Sequence, residues 1–176
     1  METLEAIRTR RSVRRFDAKR EVSRELLEKV LDAGRLAPSA GNIQSQEFII
    51  VRDDVAVKER IARACLNQEF VSQAPVIVIV CGNKRKSEEH YGTRGRDFYA
   101  LADACASAQN MLLAAHDLGL ASCWIGAFDD AALCRALSIP QGNVIPVAVL
   151  PIGFPAEHPE TPRRRPLKSF VHEEKY

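Results

Sequence analysis

The chain has 176 residues, 46% of them hydrophobic and 27% charged, with a net charge of +2 at pH 7. That describes one globular domain, residues 1–176, long enough to bury a real core. The near-neutral balance argues against nucleic acid as a partner, and no apolar run approaches the ~18 residues a membrane span requires.

Met1 to Thr9 is charged, which predicts no signal peptide, and Leu4 and Ile7 are the apolar positions of a short helix. Arg10-Arg11-Ser12-Val13-Arg14-Arg15-Phe16 follows, with four guanidiniums and a hydroxyl in six positions. Arginine offers a planar fork of donors that matches phosphate oxygens and stays charged at any working pH. If the segment is extended, alternation sends Arg10, Ser12 and Arg14 to one side. Taken alone, such a run reads as a solvated basic face; the signals further along are what favour a ligand.

Ser23 caps a predicted helix with apolar positions Leu26, Leu27, Val30 and Leu31, ended by Ala37-Pro38. The loop Ala37-Pro38-Ser39-Ala40-Gly41-Asn42-Ile43-Gln44 turns through Gly41 and presents two amides, Asn42 and Gln44. An amide donates and accepts, which suits a heterocycle edge carrying adjacent carbonyl and N–H groups; a turn satisfying its own backbone is the alternative. Phe48 to Val51 reads as a buried strand, and Asp53 or Asp54 caps a helix through Leu66. Pro75 to Val80 is a continuous β-branched run, typical of a central strand covered on both faces.

Between Asn83 and Asp97 the basic and aromatic residues Lys84, Arg85, Lys86, Tyr91, Arg94 and Arg96 read as a mobile, solvated loop, the alternative being a segment that meets an anionic substrate or a nicotinamide phosphate. Asp97 to Leu118 is a long alanine-rich helix, small or apolar nearly all round. Such a helix is covered on every side, either by one chain or by a second copy. Ala121 to Gly126 is a short strand; the amides of Ile125, Gly126 and Ala127 are then placed to meet a ligand, with Trp124 alongside. Asp129 caps a helix through Leu137, and Val144 to Ile152 is another strand. The tail 155–176 has only Leu167, Phe170 and Val171 to pack, so it should lie across another surface, such as a partner subunit. The class is α+β, a mixed central sheet flanked by helices.

Five cysteines show no CxxC spacing, which predicts buried free thiols in a reducing, cytoplasmic setting and no zinc site. The four histidines are scattered, and no Ser-His-Asp or Cys-His arrangement suggests a protein nucleophile.

The arginine run, the Ala37–Gln44 loop, Asn67-Gln68 before Ala74-Pro75, the Gly119–Phe128 stretch and Arg163-Arg164-Arg165-Pro166-Leu167 occur in that order. Together they resemble the FMN-dependent nitroreductase family over almost the whole length. The resemblance implies a nitroreductase-like fold, an intertwined homodimer and FMN at the subunit interface. It places Arg10, Arg11 and Ser12 on the phosphate, with Arg164 or Arg165 closing on it, and Arg14 beside the flavin N1 and C2 carbonyl. Pro38, Ser39, Asn42 and Gln44 would come from the other subunit, Ile125, Gly126 and Ala127 would approach N5, and Asn67 and Gln68 match a further ligand position. The activity implied is an NAD(P)H oxidoreductase passing electrons by a ping-pong cycle to a nitroaromatic, a quinone or a similar small acceptor, with no metal. Reductive dehalogenation and flavin fragmentation are alternatives on related folds, and flavin binding without turnover is another. The chain departs from the pattern at Ser45-Gln46-Glu47-Phe48, where many members carry Pro-Trp. It also has Ile125-Gly126-Ala127 where some larger members place an acid.

Overall fold

The computed structural model describes residues 1–176. Its helices are α1 (Thr3–Thr9), α2 (Arg24–Arg35), α3 (Val55–Ala64), α4 (Phe70–Gln73), α5 (Lys84–Arg94), α6 (Ala100–Asp117) and α7 (Asp130–Leu137). Its strands are β1 (Gln46–Val51), β2 (Val76–Asn83), β3 (Ala121–Ser122) and β4 (Val144–Gly153). The caps expected from sequence are made: Ser23 Oγ accepts from Leu26 N at 3.2 Å and Asp129 Oδ1 from Ala132 N at 2.8 Å. Asp54, rather than Asp53, caps α3, accepting from Val57 N at 2.9 Å.

The strands pair in the order β1-β2-β4-β3, every pairing antiparallel. The mixed character expected of the sheet is confined to one parallel bridge, Ser12 to Ser122. β2 is buried along its length, and its period-two alternation divides the interior. Val76, Val78 and Val80 join Val30, Met111 and Leu150 under α2 and α6. Ile77, Ile79 and Cys81 join Ile61, Leu133 and Val149 under α3 and α7. All five cysteines are free, four of them buried, and burial pushes the Cys65 and Cys81 thiols up to about 12.

Three expectations change. The Asn83–Asp97 stretch is not a loop: Asn83 Oδ1 accepts from Lys86 N at 2.9 Å and starts α5, which breaks at Gly92 (φ 56°). A π-helical turn, Gly95–Tyr99, then leads into α6. The strand drawn from Ala121 to Gly126 shrinks to two residues, with Ile125 making a separate bridge to Val149. In α1 only Ala6 is buried; Leu4 and Ile7 point outward, 64% and 52% exposed. Polar contacts hold α1 instead: Thr9 Oγ1 lies 2.8 Å from His116 Nε2, and the Met1 ammonium 2.7 Å from Asp117. α6 packs one face on the sheet, leaving Ala102 and Gln109 exposed and Cys105, Ala106 and Leu113 half-buried on the other. No helix is long and apolar enough to cross a membrane.

Candidate functional site

α1 stops at Arg10, where the backbone turns extended (φ −56°, ψ 131°). The chain then runs beside β3, with Val13 N–H donating to Ser122 O at 3.1 Å and the Val13 side chain buried. With Val13 inward, Arg10, Ser12 and Arg14 line one cavity of about 330 Å³ as alternation predicts, although Arg11, on the other parity, lines it too. Asp17 N–H donates to Phe154 O at 2.9 Å and Ala156 N–H to Arg15 O at 2.9 Å, so the end of β4 holds the run from behind.

The tail returns across the same place. Arg164 lines the cavity with Arg10, Arg11, Ser12 and Arg14. Arg165 instead stacks on Phe170, 4.3 Å from the ring centroid. Arg11 is partly committed within the chain: Nη1 donates to Arg8 O at 2.7 Å and to Arg10 O at 2.9 Å, and Nη2 donates to Thr161 Oγ1. Glu157 Oε1 accepts from Arg14 N at 2.6 Å and from Arg15 N at 3.2 Å, fixing the backbone rather than neutralising a guanidinium.

Arg10, Arg11, Arg14 and Arg164 make no ion pair with any carboxylate. Burial, then Arg164 and Arg11, push the Arg10 pKa down against an opposing pull from Cys123; Glu160 also lines the cavity but makes no ion pair with these guanidiniums. The same field acts on neighbours. His116 is pushed down by burial, Arg10 and Arg11, which favours its neutral form. Cys123, buried beside Ser12, is pushed up by burial against the opposing pull of Arg14, Ser12 and Arg10. A concave surface with several unpaired guanidiniums and a hydroxyl fits a phosphate group.

The second rib of the site is the Ala37–Gln44 loop. Ser39 is half-buried and Pro38 exposed; Ala40–Asn42 forms one 3-10 turn, with Gly41, Asn42 and Gln44 at φ 54°, 56° and 55°. A side chain at Gly41 would meet the Tyr91 hydroxyl, so a substitution there would have to displace Tyr91 and hold a φ that favours glycine. Ser39 Oγ accepts from Gln44 N at 2.9 Å, and Lys86 Nζ donates to Gln44 O at 3.0 Å. The Asn42 side chain makes no hydrogen bond within the chain, and that of Gln44 reaches only Asn42 O at 3.4 Å. The departing Ser45 is buried and bonded to Asp103, as is the Ala40 amide.

These two ribs do not meet in one chain. The loop is tied to Asp103 near the start of α6, and Thr9, immediately before the arginine run, to His116 near its end. The thirteen helical steps from Asp103 to His116 span about 20 Å at about 1.5 Å per residue.

The Ile125–Ala127 turn presents exposed backbone at Gly126 and Ala127, whose N–H groups donate to nothing in the chain. Ile125 is different: its N–H donates to Val149 O at 3.0 Å and is spent, which corrects the expectation for that amide. Trp124 is half-buried against the α2–α6 core, with Nε1 beside Gly126. Gln68 Nε2 donates to Cys65 O at 2.9 Å, whereas Asn67 (φ 59°) lies at the mouth of a separate groove between α3 and α7.

The nitroreductase family's sequence profile matches residues 7–69 and 62–154. The chain belongs to the nitroreductase family. A Methanothermobacter thermautotrophicus protein bearing the name NADH dehydrogenase/NAD(P)H nitroreductase is 40% identical over 165 residues, 92% of this chain and 81% of that one. Among solved structures, a nitroreductase of Desulfovibrio desulfuricans in complex with FMN superposes with TM-score 0.86 at 32% identity, covering 100% and 98% of the two chains. The Vibrio harveyi NADPH:FMN oxidoreductase complexed with NAD+ gives 0.88 at 27% identity, covering 99% and 77%.

Asp103 and Glu157 shape this nitroreductase-family site but escape a motif reading. Asp103 had a signal, a lone carboxylate in the middle of an alanine-rich helix. Glu157 had none, because its contact spans 143 residues of sequence.

Proposed function

We propose that the chain is an FMN-dependent NAD(P)H oxidoreductase for small acceptors such as nitroaromatics or quinones, working as a homodimer. The observation that carries this is the set of unpaired guanidiniums from both ends of the chain around one cavity. When bound, FMN supplies the two-electron chemistry, taking hydride from NAD(P)H and passing electrons to the acceptor in alternate half-reactions.

The chain's own residues supply position and field. Arg10, Ser12 and Arg164 bind the phosphate, with Arg11 adding charge and bracing the tail. Arg14 presents positive charge to the N1–C2 carbonyl edge, where a negative charge is favoured in the reduced cofactor. The Gly126 and Ala127 amides offer donors to the N5 edge, and Ile125, bridged to Val149 of β4, supports them. Pro38, Ser39, Asn42 and Gln44 frame the ring and ribityl chain, while Asn67, in the separate α3–α7 groove, and Gln68, bonded to Cys65 O, are given no part in holding the flavin.

The 20 Å scale separating the ribs supports assembly from two chains. If two copies pack antiparallel, α6 against α6, each loop reaches the other chain's arginine run. The uncovered small residues of α6, outward Leu4 and Ile7, and exposed Leu167, Phe170 and Val171 are the apolar surface such packing buries. The tail 155–176 then belongs to the same domain: its first part lies on its own arginine run, and the end carrying exposed Leu167, Phe170 and Val171 crosses onto the second copy.

The test is the purified protein itself. It is expected to be yellow, to hold FMN in equal amount with chain, and to be bleached anaerobically by a reduced nicotinamide dinucleotide. Colourless protein that takes up no added FMN would refute the proposal.

A further inference from the structure

We infer that the groove between α3 and α7 receives the adenosine 2′-phosphate of NADPH, so that the enzyme discriminates NADPH from NADH; this rests on the oxidoreductase reading above. The groove has a volume of about 520 Å³, and three guanidiniums, Arg60, Arg63 and Arg135, line it. Arg60 and Arg63 stand one turn apart on α3, hence on one side of that helix, and Arg135 projects from α7. Arg60 and Arg135 make no ion pair, and Arg63 approaches Glu59 only at 3.9 Å. The one carboxylate lining the groove, Asp129, already accepts from Ala132 N at 2.8 Å as the cap of α7.

The floor is aliphatic, from Ala64, Ala132 and Leu66. Leu66 is 63% exposed and sits at φ 58°, a region costly for a leucine, so its apolar surface is held open at the lip. Aliphatic lining beside three guanidiniums suits a purine nucleoside carrying a phosphate.

The groove also starts where a bound dinucleotide would need it. Asp129 N–H donates to Ala64 O at 2.9 Å, tying the Gly126–Ala127 turn to the end of α3. Arg135 lies six residues beyond Asp129, about 9 Å further along α7. Arg135, and Arg60 one turn before the end of α3, therefore stand away from the turn that faces the nicotinamide end, with Arg63 between them and it. A phosphate monoester carries about −1.5 to −2 at pH 7 and offers three oxygens to such a cluster. NADH, which lacks that group, loses the whole contact.

The test uses FMN-loaded protein. By calorimetry, 2′,5′-ADP is expected to bind at least about tenfold more tightly than 5′-AMP, the scale of one charged hydrogen bond, with the difference shrinking in salt. In turnover, Arg60→Ala and Arg135→Ala are each expected to reduce the NADPH-to-NADH ratio of kcat/KM about tenfold, chiefly through KM for NADPH. Equal affinity for the two nucleotides, or a ratio unmoved by both substitutions, overturns this assignment while leaving the oxidoreductase reading intact. If neither dinucleotide reduces the flavin, that reading falls and this one with it.

Discussion

Asp103 and Ser45, 58 residues apart in sequence, meet inside the chain with Oδ2 accepting from Oγ at 2.7 Å. The other oxygen of the same carboxylate accepts from Ala40 N at 3.0 Å. One buried acid, 4% exposed, thus ties both ends of the amide loop to α6, the helix on which we propose two chains meet. Loop position and dimer packing are mechanically joined at this residue.

Removing that carboxylate strands a buried hydroxyl and a backbone N–H. Asp103→Ala is expected to cost about 2–4 kcal/mol in a urea melt, for two lost bonds to a charged acceptor. Asp103→Asn keeps one acceptor oxygen and a donor, so it should recover most of the stability and the flavin retention lost in the alanine variant. Equal flavin retention in Asp103→Ala and wild type would remove the loop from the site.

The tail arginines separate cleanly. Arg164 lines the cavity with Arg10, whereas Arg165 lies over Phe170. Arg164→Ala should weaken FMN binding about tenfold or more, and Arg10→Ala or Ser12→Ala should do likewise. Arg165→Ala should change it by less than about threefold, as expected of an exposed stacking pair. Fluorescence titration of the apoprotein with FMN decides; a larger loss from Arg165→Ala would reverse the assignment.

Arg14 is assigned to the field rather than to the grip. Arg14→Ala is expected to lower the midpoint potential of bound FMN while costing less affinity than Arg10→Ala, because it takes charge from the side where reduction places negative charge. Glu157→Gln, which keeps an oxygen for the Arg14 and Arg15 amides, should leave the potential nearly in place. An unchanged midpoint in Arg14→Ala would end its proposed role.

Buried thiols set the alkaline limit. Cys65 and Cys81 are raised from 9.0 to about 12 by burial, so the folded chain keeps protons that the unfolded chain releases. Their contribution is fully present below pH 9.0, the ordinary value, and is lost as pH climbs toward about 12. Urea midpoints should therefore fall through this range, and more shallowly in a Cys65→Ala, Cys81→Ala variant compared with its own value at pH 8. A slope identical in the two proteins would show that these thiols do not control it.

Much of the fold was readable because local rules and tertiary packing agree. Ser23 and Asp129 cap the helices their positions announce, and the β-branched run of β2 is central. Arg10, Ser12 and Arg14 line one cavity because Val13 between them is apolar and turns inward. α5 was missed because its mean composition is polar and its cap, Asn83, also suits a turn. The outward Leu4 and Ile7 show a different limit: apolar spacing announces a buried face without saying which molecule buries it. Ile125 shows a third, since only strand pairing with Val149 reveals that its amide is already spent.

The central claim is that each flavin site takes its arginine run from one chain and its amide loop from another. A variant carrying Arg10→Ala and Arg164→Ala, and another carrying Asn42→Ala and Gln44→Ala, should each hold little FMN as homodimers. Mixed dimers of the two, isolated through distinct tags, combine both defects in one site and restore the other in full. The account predicts that such mixed dimers regain one tightly held FMN per two chains. Mixed dimers that bind no better than their parents would show that a single chain supplies the whole site.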